Sequence, residues 1–371
     1  MKSEFMARAL VLAEKARGRT SPNPMVGAVI VKNGKIIAEG FHEQAGKDHA
    51  EVVALKKAGN AAKGAALYVT LEPCCHQGKT PPCTDAVIAS GIRKVVLATQ
   101  DPNPLVAGKG MAQLKKAGIT VMHGLLQKEA QKLNETFNKF ITQKTPFVTL
   151  KAALSLDGKI AAADGSSKWI SNERSRQRVH EMRDAADAVI VGVNTVLKDD
   201  PRLNVRLAGK KKPKHPLRVI VDSKLQTPPD AHVLHSHGGE VLIAACHDDA
   251  RKRKALENEG ATVLILPEKN KMVDLKELMK ELGKRETVSA LIEGGATIFT
   301  MALEEGLVDK VALFYAPIIL GGSGRFSLAH GEGVKSIEKA IRLKDFSITP
   351  IDEKPVKLFA ENVLIEGYVS K

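Results

Sequence analysis

Aromatic residues are few in this 371-residue chain: 4% in all, with one Trp and three Tyr. Platforms on which successive single-stranded bases could stack are therefore scarce. Cysteine is scarcer, at four residues, and that excludes a disulfide framework, which belongs to small secreted domains. Long apolar runs are missing too. "VALFYAPIIL", the longest, falls well short of the roughly 20 residues that span a bilayer. The N-terminal "MKSEFMARAL" is too charged and too short in apolar length for a secretory signal. The chain is thus expected in the cytoplasm, without a membrane partner. It has no internal repeat, no low-complexity segment, and no G-x-G-x-x-G after a strand, so the familiar dinucleotide fingerprint is absent.

Positive charge is in excess, with 56 Lys and Arg against 42 Asp and Glu and a net charge of +14. That sign invites a nucleic-acid partner. The basic residues are spread out, however, and only "GKKKPKHPLR" (209–218) is dense; it is expected as a solvated surface loop. Phosphorylated small molecules account for the sign equally well and are the expected partners. A deaminase acting on nucleic acid, with the second half as a binding domain, stays as the rival reading. A non-catalytic interaction protein stabilised by zinc is another.

Length suits two domains, each with its own core. "MARALVLAEKA" has a helical period. "VGAVIVKNGKIIAEGF" reads as a hairpin turning at Asn33-Gly34, and "DHAEVVALKKAG" as a helix from an N-cap at Asp48 to Gly59. The strands "ALYVTL", "RKVVLAT" and "ITVMH" then alternate with helices after Cys83 and near 109–117, which predicts a sheet with an antiparallel start and a parallel remainder. Apolar residues at 126, 130, 133, 137 and 140 predict one further helix, ending before Pro146, a natural boundary. The pattern restarts with "PFVTLKAALSLDGKIA", turning at Asp157-Gly158. The strands "DAVIVGV", "LRVIVDS", "EVLIAAC", "ATVLILP", "SALIEGG" and "KVALFYAP" follow, with helices at 172–185, 249–258, 274–282 and 296–305. Both halves are α/β, divided as 1–145 and 146–371.

Three of the four cysteines lie in "LEPCCHQGKTPPC" (71–83), downstream of "GKDHAEVVAL" (46–55). "HAE" followed at a distance by "PC…C" is the zinc-deaminase pattern. One neutral imidazole and two thiolates hold Zn²⁺ and leave a fourth position for water, whose pKa falls toward about 7. A carboxylate that is not a ligand then moves protons to the ring nitrogen and the leaving amine. His49, Cys74 and Cys83 are the expected ligands, and Glu51 the expected proton carrier. The spacing departs from P-C-x-x-C, since eight residues separate the two cysteines, and the inserted "CHQGKTPP" can form a substrate loop. Cys75 or His76 as ligands, a closed structural site with His76 fourth, and cysteines buried as small apolar groups are the readings left open. In the second half, "LIEGGATIFTMAL" places two glycines between a strand and a helix, where phosphate can meet free N–H groups. The same pattern also serves as a plain tight connection.

Together "TSPNPMVGAVIV", "HAEVVAL", "YVTLEPCCHQGKTPPCTDAVI" and "QDPNPLVAGKG" resemble the bifunctional riboflavin-biosynthesis deaminase/reductase family. "KAALSLDGKIA", "WISNERSRQRVHEMRDAADAVIVGVNTVLKDDPRLNVR" and "LIEGGATIF" resemble its reductase half, so the likeness covers essentially the whole chain. The long spacing between zinc cysteines is the norm in that family. The resemblance implies an N-terminal cytidine-deaminase-like domain with a mixed sheet and a C-terminal dihydrofolate-reductase-like domain using NADPH. It implies hydrolytic deamination of 2,5-diamino-6-(5-phosphoribosylamino)pyrimidin-4-one, then reduction of the ribosyl chain to ribityl. For the first reaction it points to Asn23, His42, Lys79, Asp101 and Asn103 as substrate contacts. For the second it points to Ala153, Trp169, Thr195, Asp199, Ser223 and the run Gly295, Ala296, Thr297, Ile298, Phe299, Thr300 and Met301 against the cofactor. Ser167, Arg183, Leu203, Arg206 and Glu293 are implied to line the substrate. Hydride transfer also needs a proton source nearby, for which Lys151 on the opening strand and Asp199 are the candidates. A homo-oligomer built through the reductase half is also implied.

Overall fold

The computed structural model describes residues 3–77, 81–210, 212–322, 326–331, 333–351 and 362–370. The chain divides into two units, 1–145 and 146–371.

In the first unit, α1 (Ser3–Glu14) precedes a hairpin of β1 (Gly27–Lys32) and β2 (Lys35–Phe41). Asn33 and Gly34 both have positive φ, 50° and 74°, as a two-residue turn between twisted strands requires. Next come α2 (Ala50–Ala58), β3 (Ala66–Leu71), α3 (Cys83–Ala89), β4 (Lys94–Thr99), α4 (Lys109–Lys116), β5 (Thr120–His123), α5 (Gln127–Leu133) and α6 (Glu135–Gln143). The sheet runs β2-β1-β3-β4-β5, antiparallel through β3 and parallel from there. Alternate residues bury opposite faces. Ala28, Ile30, Leu67, Val69, Val95 and Leu97 join one core, whereas Val29, Val31, Tyr68 and Val96 join another with Phe5 and Met6 of α1. Gly40 of β2 seats α2, because a Cβ there would stand 2.4 Å from the Ala50 carbonyl oxygen.

Two expectations are corrected here. The N-cap of α2 is His49, and Asp48 instead accepts from Lys56 Nζ at 2.5 Å. The stripe from 126 to 140 is two helices, α5 and α6, meeting at Asn134. The buried Asn134 side chain accepts the Met25 N–H at 2.8 Å and donates to the Met25 carbonyl at 2.9 Å. Pairing with backbone 109 residues away wins over helix continuity.

The second unit starts with β6 (Phe147–Ser155), α7 (Glu173–Ala185), β7 (Ala188–Gly192), α8 (Val193–Asp199) and β8 (Leu217–Val221). It continues through α9 (His232–His235), β9 (Val241–Ala245), α10 (Ala250–Asn258), β10 (Thr262–Ile265), β11 (Glu268–Lys269) and β12 (Met272–Val273). It ends with α11 (Leu275–Lys284), β13 (Ser289–Gly294), α12 (Ala296–Glu304), β14 (Lys310–Ala316), β15 (Leu343–Pro350) and β16 (Val363–Val369). The sheet order is β10-β9-β8-β7-β13-β6-β14-β16-β15. All pairs are parallel except the two that β16 makes. Its strands are apolar along their length because helices cover the parallel part; Val148, Leu150, Ile190, Val219, Leu242 and Ile292 meet Phe299 of α12 in one core.

The basic run is a loop exposed at Gly209, Lys210 and Lys212, as expected, but several of its side chains are tied down. Lys210 and Lys214 reach Asp184 and Asp187 of the α7–β7 corner, and the His215 ring accepts the Val205 N–H at 3.3 Å. Arg218, 3% exposed, donates to the carbonyls of Val233, Ser236 and Gly239.

Two candidate active sites

The first cluster forms where the starts of α2 and α3 meet the segment leaving β3. His49 caps α2 and Cys83 opens α3, where the first two N–H groups turn back to Cys74 Sγ and the Cys74 carbonyl. His49 Nδ1 lies 3.2 Å from Cys83 Sγ and 3.5 Å from Cys74 Sγ, and the Cys83 backbone N–H donates to Cys74 Sγ at 3.4 Å. All three ligand atoms fall within 4.8 Å of one another. Tetrahedral zinc with ordinary Zn–N and Zn–S bonds places its N and S ligands roughly 3.6 Å apart. The three side chains fit the metal as they stand. Cys74 is the thiolate of the pair at about 4, held there by hydrogen bonding from Cys83 and His49, and the same bond with burial pushes the Cys83 thiol up. Cys75 and His76 are outside the three-ligand group.

Glu51, in the first turn of α2, is 3% exposed, and its carboxyl is pushed up to about 7, by burial first and then by the Cys74 charge. Asn23 Nδ2 and His42 Nε2 are 3.2 Å apart, and the rings of His42 and His49 meet edge-on at 5.2 Å. Burial lowers the His42 pKa, so that ring is neutral. Asp101 accepts the Asn103 N–H, and Asn103 in turn accepts the Leu105 N–H, which folds "DPNP" into a tight loop. Burial raises the Asp101 carboxyl to about 6. Lys79 lies outside the described residues.

Glu72 had no signal in the sequence beyond its place before Pro73-Cys74. It accepts the N–H groups of Asp101, Gly108 and Met111 at 3.3, 2.9 and 2.9 Å, tying the loop and the start of α4 to the end of β3.

The second site is a cavity of about 920 Å³ at the carboxyl ends of β7 and β13, beside β6. Open parallel sheets bind ligands at such ends. Lys151, Ala153, Ser167, Trp169, Thr195 and Asp199 line it, as do Arg183, Leu203, Arg206 and Glu293. So do Gly295, Ala296, Thr297 and Phe299, at the start of α12. Four expected cofactor contacts do not. Ile298 and Met301 face the core, Thr300 bonds the Ala296 carbonyl, and Ser223 accepts the Val273 N–H at 3.2 Å beyond β8. Gly294 and Gly295 meet both readings of their motif. A Cβ on Gly294 would lie 2.9 Å from Thr195 Oγ1, and Gly295 has φ of 95°. Neither glycine then places a Cβ between a ligand and the α12 N–H groups.

Inside the cavity, Arg183 makes a two-pronged bond to Glu293, both arms 2.6 Å, and gives a third to the Asn204 carbonyl. Burial works to raise the Glu293 carboxyl, but Arg183 outweighs it and keeps it below its ordinary value. Burial lowers the Lys151 pKa. Ser167 donates to Asp199 at 3.1 Å. Trp169 is 71% exposed, with the Arg176 guanidinium 4.4 Å over its ring. His180, which the sequence reading passed over, lines the same wall. The signal was helical spacing, since Arg176, His180 and Arg183 recur at four and three residues along α7.

Residues 1–99 match the model of the cytidine and deoxycytidylate deaminase zinc-binding region, and residues 146–357 match the RibD C-terminal domain. The latter covers more than half of the chain. The chain belongs to the RibD family. The riboflavin biosynthesis protein RibD of Aquifex aeolicus (strain VF5) is 47% identical over 356 residues, which are 96% of this chain and 97% of that one. A solved Acinetobacter baumannii RibD superposes with a TM-score of 0.88 at 38% identity, covering 100% and 99% of the two chains. So does a diaminohydroxyphosphoribosylaminopyrimidine deaminase/5-amino-6-(5-phosphoribosylamino)uracil reductase of Thermotoga maritima, at 0.84 and 37%, covering 99% and 98%. As a RibD, the chain is a bifunctional enzyme of riboflavin biosynthesis, a deaminase-like domain followed by a reductase domain. Its cofactors are zinc and NADPH. No helix among the described residues is long and apolar enough to cross a membrane.

Proposed function

We propose that His49, Cys74 and Cys83 hold the zinc of the deaminase and that Glu51 carries its protons. The observation that carries this reading is the three ligand atoms set at tetrahedral spacing, with a buried carboxyl two residues from one of them. Zinc, when bound, supplies a water that is nucleophilic at neutral pH. Glu51, whose carboxyl burial pushes up to about 7, would carry two protons in turn, one from that water to the ring nitrogen and one from the hydroxyl so formed to the amine that leaves as ammonia. Asn23 and neutral His42 present a donor and an acceptor to the pyrimidine. Asp101 and Asn103 face the ribosyl phosphate from their loop, Asp101 toward hydroxyls, and Lys79 contributes a cation.

In the second unit, Thr195, Gly295 and Thr297 with Ala153 and Phe299 receive NADPH, which supplies hydride to the anomeric carbon of the ring-opened sugar. Ser167, Leu203, Arg183, Arg206 and Glu293 seat the substrate. Lys151 holds a proton on the β6 wall, where burial eases its release. Holding the two carbons in contact is the main contribution of the cavity. Trp169 and Asp199, on the same cavity wall, are further cofactor contacts. The protein works in the cytoplasm as a homo-oligomer assembled through the reductase unit. Exposed Leu343, Phe346 and Ile348 on β15 support that reading.

The test follows ammonia release and NADPH oxidation together on the diaminopyrimidinone ribosyl phosphate. Wild type is expected to do both. Glu51→Ala is expected to lose ammonia release by about 100-fold or more and to oxidise NADPH normally when given the deaminated intermediate. Ammonia release without NADPH oxidation in the wild type overturns the reductase assignment.

A further inference from the structure

The cavity in the second unit is lined by seven lysines and arginines against three carboxylates. Arg183 is clamped by Glu293 and the Asn204 carbonyl, which uses the edge of its fork. The phosphate of a substrate therefore needs other donors on the same wall. Arg206 is exposed, and one of its arms bonds Asn204 Oδ1 at 2.5 Å. Its backbone N–H donates to His180 Nδ1 at 3.3 Å. A ring nitrogen that accepts carries no proton. The one N–H of the neutral His180 ring is therefore on Nε2, and the ring lines the cavity beside Arg183 and Arg206.

We propose that His180 is a specificity-determining residue of the reductase, its Nε2–H joining Arg206 in receiving the phosphate of the ribosyl phosphate substrate. This rests on the reductase reading above. The groups facing the imidazole are Arg183 from its own helix, Arg206 and the Asn204 carbonyl from the segment after α8, and Glu293 from β13. Burial, then the two guanidinium charges, lower its pKa to about 4, with Glu293 and the carbonyl opposing. An empty cavity consequently holds a neutral ring at physiological pH. A phosphate dianion reverses the balance by adding two negative charges to that of Glu293, and it favours imidazolium. Substrate binding is thereby coupled to proton uptake, and affinity rises as pH falls from neutrality.

The experiment measures NADPH oxidation by the full-length protein, using 5-amino-6-(5-phosphoribosylamino)uracil and the corresponding riboside without phosphate. His180→Ala is expected to raise KM for the phosphorylated substrate about tenfold, with kcat and the KM of NADPH unchanged. This is the mark of lost uniform binding. The riboside, which has nothing for the ring to hold, is expected to show the same kcat/KM in both proteins. His180→Gln keeps a neutral donor, so it is expected to restore KM at pH 8 while losing the improvement that wild type gains toward pH 6. Equal loss on phosphorylated and dephosphorylated substrate, a rise in the KM of NADPH instead, or no change in His180→Ala overturns the proposal. If His180→Ala does not fold, as judged by the thermal unfolding of its second unit, His180→Gln decides by its pH profile, and a profile identical to wild type overturns it. Failure of the wild type to oxidise NADPH at all refutes the reductase reading itself, and is distinct from each of these results.

Discussion

The two sites solve opposite problems. The His49–Cys74–Cys83 cluster brings three atoms together from two helix starts and the segment after one strand. The reductase cavity is about 920 Å³ wide and draws its wall from residues as far apart as 151 and 330. In the first, function depends on a few bonds of fixed length. In the second it depends on shape and on the sum of many charges, of which the Arg183–Glu293 pair is the most enclosed, at 12% and 5% exposure. A concentrated site should fail all at once, and a distributed one by degrees.

Metal removal is the largest expected break in that comparison. A chelator should take ammonia release to background and zinc should return it, while NADPH oxidation on the deaminated intermediate holds. An unfolded first unit after chelation would instead mark a structural metal. Smaller, but still severe, is Glu293→Gln, which leaves the Arg183 charge without its counter-ion. Breaking such a pair costs about 3–5 kcal/mol. The melting temperature of the second unit and its NADPH oxidation should both fall, with ammonia release unaffected. Smallest is Asn134→Ala in the first unit, where the Met25 N–H and carbonyl lose their partners at about 1–3 kcal/mol. It should lower the denaturation midpoint of that unit and leave the zinc content unchanged.

That His49, Cys74 and Cys83 come together was legible because their residue types are rare and their spacing is set by helix starts: "HAE" begins α2 and the second "PC" begins α3. Hairpin and helix ends were legible where a backbone with positive φ demands Asn or Gly, as at Asn33-Gly34 and Gly59. What escaped has distant causes. Nothing local separates α5 from α6; the break comes from Asn134 reaching Met25. The strands β15 and β16 carried no usable alternation, since every residue of β15 is exposed. Glu72 and His180 escaped because each acts through backbone N–H groups contributed by loops elsewhere, which residue types do not record.

The stretch 209–218 has a consequence for how the net charge of +14 is read. Lys210, Lys214 and Arg218 are committed to particular oxygens, two of them carboxylates and three of them carbonyls. They act as rivets, so three of the cations behind that sign are fixed in place by partners within the second unit. Charge reversal there registers first as a loosened scaffold under the substrate wall, well before any change in what the protein attracts.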